Sequence, residues 1–496
     1  MTTNADHTPQ DNTDFQRLLD QREAEIARQS AELLARDLLI EKLKLQLANL
    51  RRHRFGAKSE ALDQLIDQLE LTLEETEFAA SGKRHDTPSI EPNPKEQPKR
   101  KPLPDHLPRE DIVLSPGETC AECGGVLRRI GEDVAETLEY VPGRFKVIQT
   151  IRPKLSCRCC ETIHQAPAPS MPIERGRPGP GLLAHVLVSK YADHLPLYRQ
   201  SQIYRREGVH LERSTLSDWI GKSTTLLEPL ADAIGRHVLA GSAIHADDTP
   251  VNVLAPGTGK TKTGRLWVYL RDERDWSGDT PPAAFYRFTP DRKGRWPRDH
   301  LKDFKGWLHA DGYAGFEELY RRGNIKEVAC LAHIRRKFFD IHASQGSGIA
   351  KEALERIAEF YQIEATIRGD PPGRRKAVRQ EQATPLIDNL EVWLQAQLTQ
   401  ISGKSTLAGA IRYGLNRLKR LRPYLGDGRL SIDNNAGERG MRSIAIGRKN
   451  YLFMGSDKGG RSAAIAYTLI ETAKLNGFNP QAWLTDILGR IADHKI

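Results

Sequence analysis

From Phe15 to Leu50 the chain carries neither Pro nor Gly, and Leu19, Ile26, Leu33, Ile40 and Leu47 recur at every seventh position. A seven-residue apolar repeat is the spacing that winds helices into a left-handed supercoil. The companion column reads Arg22, Gln29, Arg36, Leu43 and Leu50, turning apolar only at its end. The pattern predicts a self-associating coiled coil, tight near its end and loose near its start; one amphipathic helix packed on its own protein is the alternative. With the basic run Arg51-Arg52-His53-Arg54 and a second helical stretch, Ser59 to Ala80, it makes up a helical oligomerisation region over 1–80.

Residues 81–108 hold Pro88, Pro92, Pro94, Pro98, Pro102, Pro104 and Pro108 among charges, a basic linker composition that stays extended and builds no core. A cysteine-bearing module follows over 109–175. Beyond Gly176-Arg177-Pro178-Gly179-Pro180-Gly181, helical patterning dominates 176–241. Within it, Leu197 to Gly221 has Gly208 between two amphipathic stretches, with Arg205, Arg206, Arg213 and Lys222 expected to be exposed. It reads as a helix-turn-helix or as an ordinary helical hairpin. From Ser242 the pattern turns to strands at Ala243–Val253, Arg265–Leu270 and Ala283–Phe288, an antiparallel meander. Further apolar runs end at Asp311 and Leu331. The resulting units are 242–345, a helical stretch over 346–430, and 431–496, where a helix is expected to start at Asp433.

Composition narrows the class. With 496 residues, 39% of them hydrophobic, there is material for about three cores. The 74 Lys plus Arg against 65 Asp plus Glu leave a net charge of +9, which favours an anionic partner such as nucleic acid. The first residues have neither basic start nor apolar core, and no stretch approaches the roughly 20 apolar residues of a membrane span. A soluble cytosolic protein with no membrane partner is expected. Five of the six cysteines lie between Cys120 and Cys160. Cys120 with Cys123, and Cys157 with Cys160, form two C-x-x-C knuckles 33 residues apart, spacing that surrounds one tetrahedral structural zinc. Between them Thr137–Val141 and Phe145–Ile151 read as the hairpin of a zinc ribbon. Cys159 is a spare that can stand in for Cys157 or Cys160, and buried free thiols are the alternative.

Two apolar runs end in the same tripeptide, His245-Ala246-Asp247 and His309-Ala310-Asp311. If these strands are parallel neighbours, both carboxylates sit at one sheet edge, where hard oxygen ligands suit Mg²⁺ or Mn²⁺. Turn residues at Asp247 and Asp311 are the competing reading, since Asp248-Thr-Pro and Gly312 follow them. A third acid is Glu438. Residues 411–461 contain twelve Lys or Arg against four Asp or Glu, so most of the surplus charge surrounds it. An acid flanked by Arg439, Arg442, Arg448 and Lys449 fits a phosphodiester substrate, with a solvated Arg-rich helix face as the alternative.

Asp247, Asp311 and Glu438, the run Cys330-Leu-Ala-His333, and the stretch Gly447 to Gly460 resemble transposases of the insertion sequence 66 family. The likeness extends to Arg54-Phe-Gly-Ala-Lys-Ser-Glu60, the cysteine module and Ala473-Lys-Leu-Asn-Gly477. The resemblance implies a multidomain protein: coiled-coil helix, zinc ribbon, helical DNA-binding region, and an α/β ribonuclease-H-like core of the DDE type with a helical insertion. It implies that Asp247, Asp311 and Glu438 are catalytic and hold two Mg²⁺ or Mn²⁺ ions. The reaction it implies is cleavage at the terminal inverted repeats of a bacterial element and joining of the 3′ hydroxyls to target DNA. Asp247 is preferred to Asp248 because the family motif places the acid directly after His-Ala. Cys330 and His333 match a C-x-x-H signature near the site, with core packing as the alternative. A dimer holding both ends, small accessory proteins of the same element and a nucleoid location in the cytoplasm complete the expectation. An inactive DNA-binding derivative and a nuclease without joining activity are the rivals.

Overall fold

The computed structural model describes residues 176–255 and 257–494, with Arg28, Gly143 and the stretches 145–156, 163–165, 167 and 169–174. Chain contacts divide the protein into one unit of Thr87–Ile151 and another that includes Arg152–Ile496. In the smaller unit Phe145–Ile151 was expected as a strand; it pairs with no strand among the described residues, and Val147, Ile148 and Ile151 are exposed. A ladder needs a partner, and the expected one, 137–141, lies outside the described residues. So do the coiled-coil repeat, the linker and Cys120, Cys123, Cys157, Cys159 and Cys160.

In the larger unit, β1 (Lys154–Ser156) and β2 (Ile163–Gln165) pair antiparallel, Leu155 opposite His164, and bracket the segment 157–162. A five-stranded mixed sheet follows: β3 (Ala243–Ala255), β4 (Lys260–Arg271), β5 (Ala283–Thr289), β6 (Gly306–Ala310) and β7 (Ile325–Ala329). Its order is β5-β4-β3-β6-β7. The meander β3-β4-β5 is antiparallel, as its short connections allow, while β6 joins β3 and β7 joins β6 in parallel. β4 is buried from Gly264 to Leu270, as a central strand covered on both faces must be.

Helices cover the sheet. α1 (Pro180–Tyr191) and α2 (Leu197–Arg206) lead through a turn with Gly208 at φ +81° into α3 (Arg213–Leu239). Leu227, Ala231 and Val238 bury the second half of α3, so the second helix of the expected pair is mostly part of the core layer. α4 (Leu331–Gln345), α5 (Gly348–Thr366), α6 (Thr384–Gln400) and α7 (Thr406–Leu421) share a separate core built on Phe338, Ile357, Leu390 and Ile411. The chain returns through α8 (Asn435–Gly440) and α9 (Arg442–Asn450) to α10 (Asp457–Leu475) and α11 (Pro480–Arg490). α10 protects the edge strand β5: Thr468 Oγ1 accepts from Tyr286 N at 2.9 Å, and Thr472 Oγ1 exchanges hydrogen bonds with Ala284. No helix among the described residues is long and apolar enough to cross a membrane.

Candidate active site

The register of the parallel strands builds the site. His245 pairs with His309, and β6 with β7 as Ala310 with Ala329, so Asp247, Asp311 and Cys330 follow at one level across three strands. One expectation needs correction. Asp247 is not at the finish of its strand, because β3 continues to Ala255 on hydrogen bonds to β4 after β6 has ended at Ala310. The turn reading of Asp247 is thereby excluded. Pro250 is tolerated in β3 on the side that β6 has vacated.

The repeated histidines explain half of the tripeptide. The His245 and His309 rings stack 4.4 Å apart, 20° from parallel, and both are buried. Ser431 N donates to His309 Nε2 at 3.0 Å, so Nδ1 carries the proton toward the Ile244 carbonyl. Burial lowers His309 well below the ordinary histidine range and His245 to about 4, so both rings are neutral struts.

Asn434 is the residue that sequence reasoning missed. It is fully buried; its Nδ2 donates to Ala246 O at 2.9 Å, its Oδ1 accepts from His245 Nδ1 at 3.1 Å and its N donates to Cys330 Sγ at 3.2 Å. Its carbonyl accepts from Glu438 N at 3.1 Å, which ties the helix of the third acid to the strands of the first two. α8 begins at Asn435, two residues past the expected start, although Asp433 Oδ1 does accept from Asn435 N at 3.1 Å. Gly437 is required here, since a Cβ would lie 2.9 Å from Asn434 Oδ1.

Asp247 and Glu438 sense the neighbouring acids. Burial, then the charges of Asp311, Glu438 and Asp248, push Asp247 well above the usual carboxylate range. Burial also raises Glu438, with Arg336 opposing and Asp311 reinforcing the shift. Asp247 Oδ1 accepts only a backbone amide, Asp248 N at 2.8 Å, and has no cationic partner among the described residues. Asp248, by contrast, lies 3.2 Å from Arg265 and 2.9 Å from Arg292, which separates the two adjacent aspartates by role. Arg292 also reaches within 4.0 Å of Asp311, whose Oδ1 accepts from Tyr313 N. Carboxylates that raise one another by charge in this way are hard oxygen donors of the kind a divalent cation takes.

Cys330 and His333 flank Glu438: His333 Nδ1 lies 3.5 Å from Oε1, and Arg336 lies 3.7 Å from Oε2. Burial, then Glu438 and Asp433, raise the Cys330 thiol. The cations divide. Arg417, Arg420, Arg422 and Arg429 are engaged in ion pairs with Glu327, Glu317, Glu391 and Asp427, so part of the local surplus holds the fold together. Arg439 and Lys449 are exposed, and Arg448 Nη1 donates to Pro250 O at 2.8 Å beside the outer half of β3. Arg205, Arg206 and Arg213 are exposed on the α2–α3 hairpin. The hairpin touches the end of α9, where Arg199 reaches Asn450.

Comparison with known proteins agrees with this layout. The model described as "Transposase IS66 family" matches residues 175–462, "zinc-finger binding domain of transposase IS66" matches 118–161, "Transposase C of IS166 homeodomain" matches 42–112 and "IS66 C-terminal element" matches 468–496. The uncharacterized protein y4hP of Sinorhizobium fredii (strain NBRC 101917 / NGR234) is 42% identical over 478 residues, 92% of this chain and 86% of its own. Protein y4qI of the same strain is 40% identical over 482 residues, 95% of this chain and 89% of its own. The zinc-finger match supports a zinc site in the cysteine module, and the matched models together span the chain from residue 42 onward: the chain belongs to the IS66 family of transposases.

Proposed function

We propose that the protein is a DDE-type DNA transposase with a ribonuclease-H-like core, which cleaves at the terminal inverted repeats of its element and joins the released 3′ hydroxyls to target DNA. The observation that supports the reading is that Asp247 and Asp311, 64 positions apart, follow a paired position on parallel neighbours, and that the Glu438 carboxylate, 127 positions further on, lies close enough to raise Asp247 by its charge and to be raised by that of Asp311. The mixed sheet, with its antiparallel meander and two parallel strands, supports a core of this class.

Asp247, Asp311 and Glu438 would hold the divalent ions. When bound, these ions lower the pKa of an attacking water or hydroxyl and stabilise the leaving oxygen at phosphorus. The chain's own residues supply the rest. Asn434 fixes the helix of Glu438 against β3, while Arg265 and Arg292 neutralise Asp248 and leave Asp247 as the ligand. Arg439, Arg442, Arg448 and Lys449 contact phosphates near the cut. Arg205, Arg206 and Arg213 on the α2–α3 hairpin, with the zinc ribbon folded by Cys120, Cys123, Cys157 and Cys160, contact the ends. Cleavage breaks the bond from phosphorus to the 3′ oxygen as water attacks; joining repeats the displacement with that 3′ hydroxyl as nucleophile.

Asp247→Asn, Asp311→Asn and Glu438→Gln are each expected to abolish Mg²⁺-dependent nicking of duplexes carrying the element's inverted repeat, with gel-shift binding of those duplexes retained. Nicking that survives Asp247→Asn or Glu438→Gln refutes the assignment. Cleavage by the wild type without strand transfer reduces the protein to a nuclease.

A further inference from the structure

Beside the three carboxylates lies a second donor set of different chemistry. The ligand atoms of Cys330, His333 and Glu438 all lie within 4.8 Å of one another. Cys330 follows β7 at the N-cap position of α4, and His333 lies within the first turn, so the C-x-x-H spacing brings thiol and imidazole beside the carboxylate of α8. Backbone amides of Asn434 and His333 both donate to Cys330 Sγ. Such N–H···S bonds are the setting that holds a metal-bound thiolate, as in the glycine-assisted knuckles of zinc modules. The Cys330 side chain is buried and unpaired in any disulfide, and the strand-cleavage scheme gives it no task.

We infer that Cys330, His333 and Glu438 form a soft-metal site of the zinc class, and that zinc bound there withdraws Glu438 from the Mg²⁺ site. Bonds of roughly 2.0–2.3 Å to a tetrahedral ion put ligand atoms about 3.3–3.8 Å apart. The His333 to Glu438 distance of 3.5 Å already fits, and the Cys330 thiol lies within 4.8 Å of both. The fourth position is left to water. Sulfur and imidazole favour Zn²⁺ and disfavour Mg²⁺, which takes oxygen ligands in an octahedron. Arg336 holds the other Glu438 oxygen at 3.7 Å, so the carboxylate serves one ion class at a time. Binding at this site stands on geometry alone, whereas the inhibition rests on the function proposed above.

The test uses the full chain. Zn²⁺ is titrated against a chromophoric chelator with wild type, Cys330→Ser and His333→Gln. The ribbon contributes equally in all three, and the wild type is expected to bind one ion more per chain than either variant. His333, at the site's more exposed side, serves if Cys330→Ser disturbs the core. Equal stoichiometry in wild type and both variants overturns the site, whatever the protein does to DNA. In parallel, Zn²⁺ is added to Mg²⁺-dependent nicking. The wild-type rate is expected to be lost, while each variant's rate with zinc stays near its own rate without it. Equal zinc sensitivity in all three overturns the competition and leaves the binding result standing by itself. If the wild type does not nick, the function proposed above fails while the titration still decides the site.

Discussion

Asp247 and Asp248 occupy consecutive positions on β3 and face opposite sides of the sheet, as strand alternation requires. Two arginines neutralise Asp248, whereas Asp247 meets burial and the charges of Asp311 and Glu438. An ionised, repelled carboxylate is unfavourable in the metal-free protein, and a divalent ion relieves it. Asp247→Asn is therefore expected to stabilise the metal-free protein, by on the order of 1 kcal/mol. It should also remove most of the stabilisation that Mg²⁺ gives the wild type, about 2.7 kcal/mol at a hundredfold excess over Kd. Thermal melting with and without Mg²⁺ measures both, and a larger Mg²⁺ effect in the variant would contradict the ligand assignment. A second residue-scale effect comes from His300, which burial holds at about 3 while its Nδ1 meets the Tyr269 hydroxyl at 2.9 Å. Its folded pKa lies below the unfolded value, so its contribution to stability is complete above about pH 6.5 and is lost as pH falls toward 3. The loss is about 1.4 kcal/mol per pH unit across that window. His300→Gln cannot take up the proton, and its unfolding free energy should fall less steeply between pH 6.5 and 4 than that of the wild type.

At the scale of elements, the repeated His-Ala-Asp gave the two acids the same position relative to their strands, which puts them at one level only if the strands are parallel neighbours; the pairing of β3 with β6 supplies that condition. The meander was legible because alternating apolar runs bounded by Gly, Pro and Asp leave few other pairings. The length of β3 was legible to within two residues, Ala243–Val253 against Ala243–Ala255; that β6 stops at Ala310 while β4 runs on was not, since it is a fact about the partners and not about β3 itself. Nor was Asn434, whose neighbours in the sequence say nothing of the strand carbonyl it meets 188 positions away. The helical stretch hides a comparable device. A π-turn, Arg379–Ala383, joins the helix Pro372–Val378 to α6 and turns Arg379 fully inside. There it pairs with both Glu364 oxygens at 2.7 Å and donates to the carbonyls of Tyr424 and Asp427. Removing Arg379 leaves Glu364 with Arg375 alone among the described residues, at 3.4 Å, and takes a donor from the two carbonyls, so Arg379→Ala is expected to cost about 3–5 kcal/mol. Arg379→Met, which keeps the packing of the stem, should recover part of it in denaturant unfolding. A Met variant no better than the Ala variant would assign the whole loss to the missing ion pair and carbonyl contacts.

At the scale of the molecule, the two C-x-x-C knuckles were legible from spacing alone, and the zinc-finger match spans 118–161. β1 and β2, which precede and follow Cys157 and Cys160 in the sequence, pair antiparallel. The heptad column from Leu19 to Leu47 makes a separate demand, because a coiled-coil seam has to be covered by another helix to be stable in water. If that helix belongs to a second copy, one assembly carries two sets of Asp247, Asp311 and Glu438, matched to the two ends of an element. Ile40→Lys with Leu47→Lys places charge in the apolar end of the seam while keeping helix-compatible residues and the full chain. The doubly substituted protein is expected to run at half the wild-type mass in light scattering. It should keep binding to a single end duplex and lose complexes that contain two, because each zinc ribbon and core is intact while the link between copies is cut. An unchanged mass would mean that the column packs against its own chain, and pairing of the ends would then have to come from surfaces on the core.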